Sequence, residues 1–368
     1  MAVIEKTGRY ERTDPFNPRL RTAQDGVEEK HAIAAARSSL EAVLGDRMHA
    51  DVPAASLAAQ NEWALPGDEQ RFLVDLVAHL KPRHILELGS GASTEAMARA
   101  CAQLNMPCCI TSVDHDPDFR QSTIRKLAAP RKEGCQVALH FAPLVLRNCG
   151  GELLPVYRLR PHRFASRWPA DLVLIDGPPA PLGGREGTLY QVLDFVRCGT
   201  LVLVDDANRA QERTVLSRWQ DNLGDAIEVN LLPEFSHGMA AILIRQRIPT
   251  SELWNHRLRL CKQDLEALIP PEDRFILVDE NVAGEELGRN GRAIPFLERD
   301  GQYFGPPADD ASAIREIERL RDSSATFIAF AFPALWWLEH YSVFHDYLRA
   351  SYRCVFENHR LVVFDLWP

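Results

Sequence analysis

The chain lacks any apolar run long enough to cross a bilayer. Its most hydrophobic stretches, residues 201–204 and 327–332, fall far short of the ~20 residues that a span needs. Eight cysteines are present, yet none form a C-x-x-C repeat with metal-binding spacing; the nearest approach is the adjacent pair Cys108-Cys109. A zinc ribbon and a disulfide-stapled secreted scaffold are thereby excluded, and reduced thiols of a cytoplasmic protein are expected. An excess of positive charge is also missing. A formal net charge of -9 argues against a nucleic-acid coat, which needs clustered Lys and Arg to neutralise phosphates. The first 21 residues carry Lys6, Arg9, Arg12, Arg19 and Arg21 without the apolar core of a signal peptide, so nothing there directs export. Repeats and low-complexity tracts are absent, and 46% hydrophobic residues exclude wholesale disorder.

At 368 residues the chain exceeds the size at which one core usually keeps growing, which predicts two domains. Residues 1–27, with Asp14-Pro15 and Asn17-Pro18, read as an arm. From about Glu28 the spacing of Ile33, Leu40, Val43 and Leu44 is helical, and 70–80 repeats it with Phe72, Leu73, Leu76, Val77 and Leu80 on one face before Pro82. Short apolar runs then alternate with helical stretches: 85–86, 92–104, 109–113, 119–127, 137–141, 171–175, 188–196, 201–204 and 209–219. That alternation predicts βαβ units and a parallel sheet. Two closing strands, 227–232 and 239–244, are joined as a hairpin through 233–238. Pro249 and Thr250 mark the boundary between a domain at 28–248 and a smaller α/β domain at 249–368, with strands near 275–278, 326–332 and 361–364 and helices at 313–320 and 335–348.

Chemistry concentrates in the first domain. His84-Ile85-Leu86-Glu87-Leu88-Gly89-Ser90-Gly91-Ala92-Ser93-Thr94 reads as a buried strand, a glycine turn and a helix start capped by Ser93 or Thr94. Gly89 and Gly91 allow close approach of a ligand, with Ser90 between them. Glu87 is suited either to a ligand ammonium or to ordering the turn. A dinucleotide site would want a third glycine where Thr94 stands. The segment resembles motif I of class I S-adenosylmethionine-dependent methyltransferases. The next strand ends at Asp114, which the resemblance makes the ribose-binding acid, while Asp116 is the better helix cap. The family's acidic adenine motif is replaced by His140-Phe141-Ala142-Pro143, so Ala142 or Phe141 would pack on the base, with a core position the alternative for Phe141.

The pattern Asp176-Gly177-Pro178-Pro179, Arg185, then Leu203-Val204-Asp205-Asp206-Ala207-Asn208-Arg209 resembles small-molecule O-methyltransferases of the catechol methyltransferase kind. The resemblance implies a doubly wound, seven-stranded Rossmann-like methyltransferase sheet and S-adenosylmethionine as cofactor. It also implies Mg²⁺ on Asp176, Asp205 and Asp206, an oxygen-only set, although Asp206 stands where the family has Asn. Helix capping is the alternative for the two later acids. Asp176 is the first candidate base and cofactor-edge residue, and His237 the second, against an ordinary surface histidine. Arg158, Arg160, His162, Arg163 and Arg167 would hold an anionic acceptor or form a solvated loop.

In the smaller domain, Phe275-Ile276-Leu277-Val278-Asp279-Glu280, Pro295 through Pro307, and Phe332-Pro333-Ala334-Leu335-Trp336-Trp337 resemble a module of bacterial glycosyltransferases and polysaccharide-assembly proteins. Asp309 and Asp310 fit a helix cap. Trp336, Trp337 and Tyr341 form either a sugar platform or core. Together these features imply O-methylation of a small-molecule acceptor: a sugar, nucleotide sugar or other hydroxyl metabolite, in a glycan-biosynthetic setting. They imply no nucleic-acid partner and allow a homo-oligomer. The rivals are a non-catalytic scaffold in polysaccharide assembly that retains the adenosylmethionine fold and, further off, an NAD-dependent oxidoreductase.

Overall fold

The computed structural model describes residues 23–47, 65–127, 135–159, 169–288 and 291–367. Most of the expected arm and all but Arg158 of the expected arginine-rich run lie outside them. The first half contains α1 (Ala23–Arg47), α2 (Gly67–Leu80), β1 (His84–Leu88), α3 (Ala92–Gln103), β2 (Cys108–Asp114), α4 (Pro117–Lys126), β3 (Cys135–Phe141), β4 (Leu144–Cys149) and β5 (Glu152–Tyr157). β6 (Ala170–Ile175), α5 (Glu186–Val192), β7 (Val196–Val204), α6 (Ala210–Leu223), β8 (Ile227–Leu232) and β9 (Met239–Ile244) follow. The remainder is α7 (Leu253–Leu268), β10 (Arg274–Val278), α8 (Gly284–Gly288), β11 (Ala293–Pro295), β12 (Glu298–Arg299), β13 (Gln302–Tyr303), α9 (Asp310–Asp322), β14 (Ala325–Ala331), α10 (Trp337–His340), α11 (Ser342–Ser351), β15 (Arg353–Glu357) and β16 (Leu361–Asp365).

Seven strands form one mixed sheet of methyltransferase type, ordered β3-β2-β1-β6-β7-β9-β8. All neighbours from β3 to β7 are parallel, while β9 runs antiparallel to both β7 and β8. The central strands read as unbroken apolar runs because both of their faces are covered. In β6, Leu172 and Leu174 enter the core shared with Phe72, Leu76 and Met97 of α2 and α3. Val173 and Ile175 enter the opposite core with Leu189 and Trp219 of α5 and α6. The chain winds outward from β1 to β3 and then returns to β6 beside β1. Their carboxyl ends therefore flank a topological switch point, where open α/β sheets leave a ligand crevice.

The sequence does not foretell the β4–β5 hairpin, which stands apart as a two-stranded unit with Leu146 and Leu153 exposed. A second sheet of five strands, β11-β10-β14-β16-β15, follows. The helix expected at 335–348 is two helices. The chain breaks at Tyr341, whose hydroxyl donates to the Pro307 carbonyl at 2.8 Å. Trp337 and Tyr341 are core residues, so they form no sugar platform; Trp336 alone of the three is exposed, at 44%. Asp309 caps α9 as expected, accepting from the Ser312 N–H at 2.7 Å, whereas Asp310 accepts from Phe344 N.

α7 belongs to both cores: Leu253 packs in the first sheet's cluster, and Leu258, Cys261 and Leu265 pack under the second sheet. Arg257 on the same helix is buried. It donates to the Gly150 carbonyl of the β4–β5 turn at 2.6 Å, pairs with Glu152 at 2.9 Å and lies 4.0 Å over the Phe332 ring. Replacing Arg257 with Ala strands the Gly150 carbonyl and removes the ring contact. Chemical denaturation of Arg257→Ala should show a loss of about 1–3 kcal/mol, the usual cost of one buried acceptor left unmade; an unchanged midpoint would mean that this joint carries no stability.

Candidate active site

β1 delivers the glycine loop to the switch point. Gly89 N–H extends the ladder to the Val113 carbonyl at 2.8 Å, and its φ of +100° belongs to the left-handed region. A Cβ there would sit 3.2 Å from the Asp176 carbonyl carbon, so glycine lets the end of β1 pass the end of β6. Gly91 is extended instead (φ 173°), and a Cβ on it would meet nothing within 4 Å. Open space lies over Gly91.

Glu87 orders the loop. It is fully buried, and its two carboxylate oxygens accept from the Ser93 and Thr94 hydroxyls at 2.5 Å each. Thr94 Oγ1 also accepts from Gly91 N–H at 3.0 Å. The position that a dinucleotide loop gives to glycine is thus filled by a side chain that ties loop, helix and strand together. Burial pushes the Glu87 carboxyl up to about 7, against the pull of the Ser112, Ser93 and Thr94 hydroxyls.

On the neighbouring strand, Asp114 is buried beside the loop. One oxygen accepts from Ser90 N–H at 2.8 Å and Ser90 Oγ at 2.7 Å; the other accepts from Asp116 N–H at 2.9 Å. Asp116 caps α4 by accepting from Asp118 and Phe119 N–H groups. Ala142 is buried and donates its N–H to the Asp114 carbonyl at 2.8 Å. Phe141, opposite Asp114 in the β2–β3 register, is 51% exposed and is the ring available there. Sequence reasoning missed Tyr157. At the end of the β4–β5 hairpin its hydroxyl is buried against Gly177 with no hydrogen-bond partner among the described residues, and burial, then the Asp114 and Asp176 charges, push its pKa well up. Only the unforeseen hairpin brings it there.

Asp176, Asp205 and Asp206 do converge at the ends of β6 and β7, their carboxylate oxygens within 4.8 Å of one another. Their buried counter-charge is Arg185, and the exposed Arg209 adds a second pair to Asp206 at 2.7 Å. The Arg185 guanidinium donates to the Asp176 carbonyl at 3.0 Å, to Asp176 Oδ1 at 3.2 Å, to Asp206 Oδ2 at 2.7 Å and to the Asp205 carbonyl. The oxygens expected to hold Mg²⁺ are therefore partly occupied by a cation of the chain's own. Arg185 bonds the carboxylates of Asp176 and Asp206 but meets Asp205 only at its backbone carbonyl, and no step through Mg²⁺ follows from this geometry. Burial raises the Asp176 carboxyl well above its ordinary range, reinforced by Asp205 and opposed by Arg185.

A further acid joins from α2, again unforeseen. Glu69 is fully buried, accepts from His237 N–H at 2.8 Å, and is pushed up to about 8 by burial and then by the Asp205 charge. His237 lies in the β8–β9 turn, 41% exposed at its side chain, with Nδ1 3.7 Å from Asp206 Oδ1. Asn208 fastens that turn, donating from Nδ2 to the Pro233 and Phe235 carbonyls at 3.1 and 3.4 Å.

No family model and no curated protein matches the chain. Among solved structures, it is similar to the O-methyltransferase TomG of Streptomyces achromogenes, involved in tomaymycin synthesis and bound to S-adenosylmethionine (17% identity, 56% of this chain, 89% of that one, TM-score 0.36). It is also similar to an O-methyltransferase of Bacillus cereus (17%, 56% and 90%, 0.35) and a methyltransferase of Podospora anserina (14%, 61% and 97%, 0.35), both bound to S-adenosylhomocysteine. The reading of the fold rests on the strand order itself. Among the described residues no helix is long and apolar enough to cross a membrane.

Glu87 holds its proton more tightly in the folded chain (about 7) than at its ordinary value of 4.5. Between those values the native state binds the extra proton, so this residue's contribution makes stability fall as pH rises through the window. Glu87→Gln has no proton to lose. Its melting temperature should decline less than the unmodified protein's between about pH 5 and about pH 8; parallel profiles would mean that Glu87 does not titrate there.

Proposed function

We propose that this chain is an S-adenosylmethionine-dependent methyltransferase acting on a hydroxyl of a small polar acceptor, a sugar or related metabolite. The observation that carries the reading is the single crevice edge shared by the open face of Gly91, the loop-bound Asp114, the exposed Phe141 and the raised Asp176. The residues present suit the cofactor. Gly91 leaves room for a ligand against the backbone, Asp114 sits at the strand end beside it, and the buried Tyr157 hydroxyl is free to donate. Thr94, bonded to both Glu87 and Gly91, closes the position that a pyrophosphate would need, which disfavours NAD.

When bound, the sulfonium supplies an electrophilic methyl group. The chain's task is then to align the acceptor oxygen and remove its proton. Asp176 is suited to the second role because burial raises its proton affinity towards that of a working base. Arg185 fixes its carboxylate from behind, so the side chain needs no reorganisation. The rate should climb with pH through a range above that of an ordinary carboxylate.

Two measurements test the reading. S-adenosylhomocysteine at about 100 times its dissociation constant should stabilise the fold by about 2.7 kcal/mol, seen as a raised melting temperature, and NAD should not. Gly91→Val projects into open space, so it should melt like the unmodified chain without ligand and lose the shift with it. A shift with NAD and none with S-adenosylhomocysteine would replace this reading with an oxidoreductase. Separately, Asp176→Asn should keep binding while lowering methyl transfer by about 10²–10⁴-fold. Binding without turnover on any sugar, nucleotide-sugar or phenolic acceptor would favour the scaffold alternative.

A further inference from the structure

We propose that Glu69, Asp205 and His237 form a divalent-cation site of mixed oxygen and nitrogen donors. One ligand atom from each of the three lies within 4.8 Å of the others. The three come from α2, the end of β7 and the β8–β9 turn, segments far apart in sequence. Two further observations point to a ligand. Among the described residues no other group donates to Asp205 Oδ1 or Glu69 Oε2, although both residues are more than nine-tenths buried; the two carboxyls have only each other to bond. Arg185 does not serve them: it reaches Asp205 only at the backbone carbonyl and spends its other bonds on Asp176 and Asp206. Two buried carboxyls facing each other must either share a proton or hold a cation in its place.

The remaining geometry suits a metal. Glu69 Oε1 is already fixed by His237 N–H, and Asp68 holds the same turn by accepting from Ser236 N–H at 2.9 Å and Ser236 Oγ at 3.0 Å. Such outer bonds orient ligands before an ion arrives. The exposed His237 ring provides an entry path. An imidazole beside two carboxylates favours Mn²⁺, Fe²⁺, Co²⁺ or Zn²⁺ over Mg²⁺, which prefers an all-oxygen shell. Three protein ligands also leave coordination positions open, as in reactive rather than purely structural sites. The site does not depend on the methyl-transfer reading, because its occupancy is measured without turnover.

The test uses the full chain, stripped with a chelator, dialysed and titrated with Mn²⁺, Zn²⁺ or Mg²⁺ by calorimetry, with Co²⁺ absorption as a probe of nitrogen ligation. Mn²⁺ and Zn²⁺ should each bind once per chain and more tightly than Mg²⁺. His237→Ala should change the Co²⁺ spectrum and weaken binding, Glu69→Gln should abolish binding, and Asp176→Asn should leave it in place. Circular dichroism of each variant separates loss of the site from loss of the fold. No heat with any of the ions on the folded, unmodified chain would overturn the proposal. So would binding that survives His237→Ala unchanged and disappears in Asp176→Asn, since the ion would then sit on the Asp176, Asp205 and Asp206 trio.

Discussion

The cluster of buried acids at the carboxyl edge of the first sheet, met by the buried guanidinium of Arg185, is the constraint on which the rest of the structure depends. Glu69, Asp205, Asp206 and Glu212 are each at least nine-tenths buried there, and Asp176 is partly so. Arg185 stands at the start of α5 and bonds the ends of β6 and β7, with Glu212 of α6 a further 3.8 Å away. One side chain thus fastens two strand ends and two helices. Removing one partner from such a set typically costs about 3–5 kcal/mol, because the charges left behind have neither water nor a mate. The same bonds satisfy the strand-end carbonyls of Asp176 and Asp205, which allows the edge to stay open without orphaned backbone.

The glycine loop repeats this logic on a smaller scale. Glu87 is buried and raised, yet it holds Ser93 and Thr94 in the first turn of α3. Asp114 in turn holds Ser90 and Asp116. Each acid is placed where its own desolvation is unfavourable and each offsets that cost by ordering backbone that a ligand would approach. Stability and site geometry are not separable along this edge, a pattern expected where function has overridden the rules of a plain apolar core.

Much of this architecture is legible in the sequence wherever local pattern and tertiary environment agree. Leu172 through Ile175 and Leu201 through Val204 announce strands covered on both faces, and 227–232 with 239–244 announce the closing hairpin. The strand-end acids Asp114, Asp176, Asp205 and Asp206 are legible because turn chemistry follows the apolar run directly. Glu69 is not, since it sits in an amphipathic helix where an acid reads as solvent-facing; only the packing of α2 against the β8–β9 turn buries it. Tyr157 is hidden for a similar reason, because Leu146 and Leu153 remain exposed and blur the alternation that marks a hairpin. The helical spacing across 335–348 predicts a continuous helix, but a tertiary bond from Tyr341 to Pro307 accompanies a break that local propensity does not contain.

The second sheet is tied to this edge by shared elements rather than by mere adjacency. α6 begins at the Asp206–Arg209 ion pair beside the acidic cluster and carries Glu212 towards Arg185 in its first turn. Its middle is fixed by Trp219, whose indole N–H donates to the Glu186 carbonyl at 2.8 Å. At its far end Asp221 accepts from His359 N–H at 3.1 Å and lies 2.7 Å from His359 Nδ1, while its carbonyl accepts from Arg360, which also bonds Asp264 of α7 at 2.8 Å. A helix of 14 residues, about 21 Å long, therefore has one end in the candidate site and the other against the turn between β15 and β16. One packed helix therefore carries side chains of the acidic edge at its start and side chains that seat the second sheet at its end. The smaller unit is thus joined through α6 to the elements that hold the acidic edge.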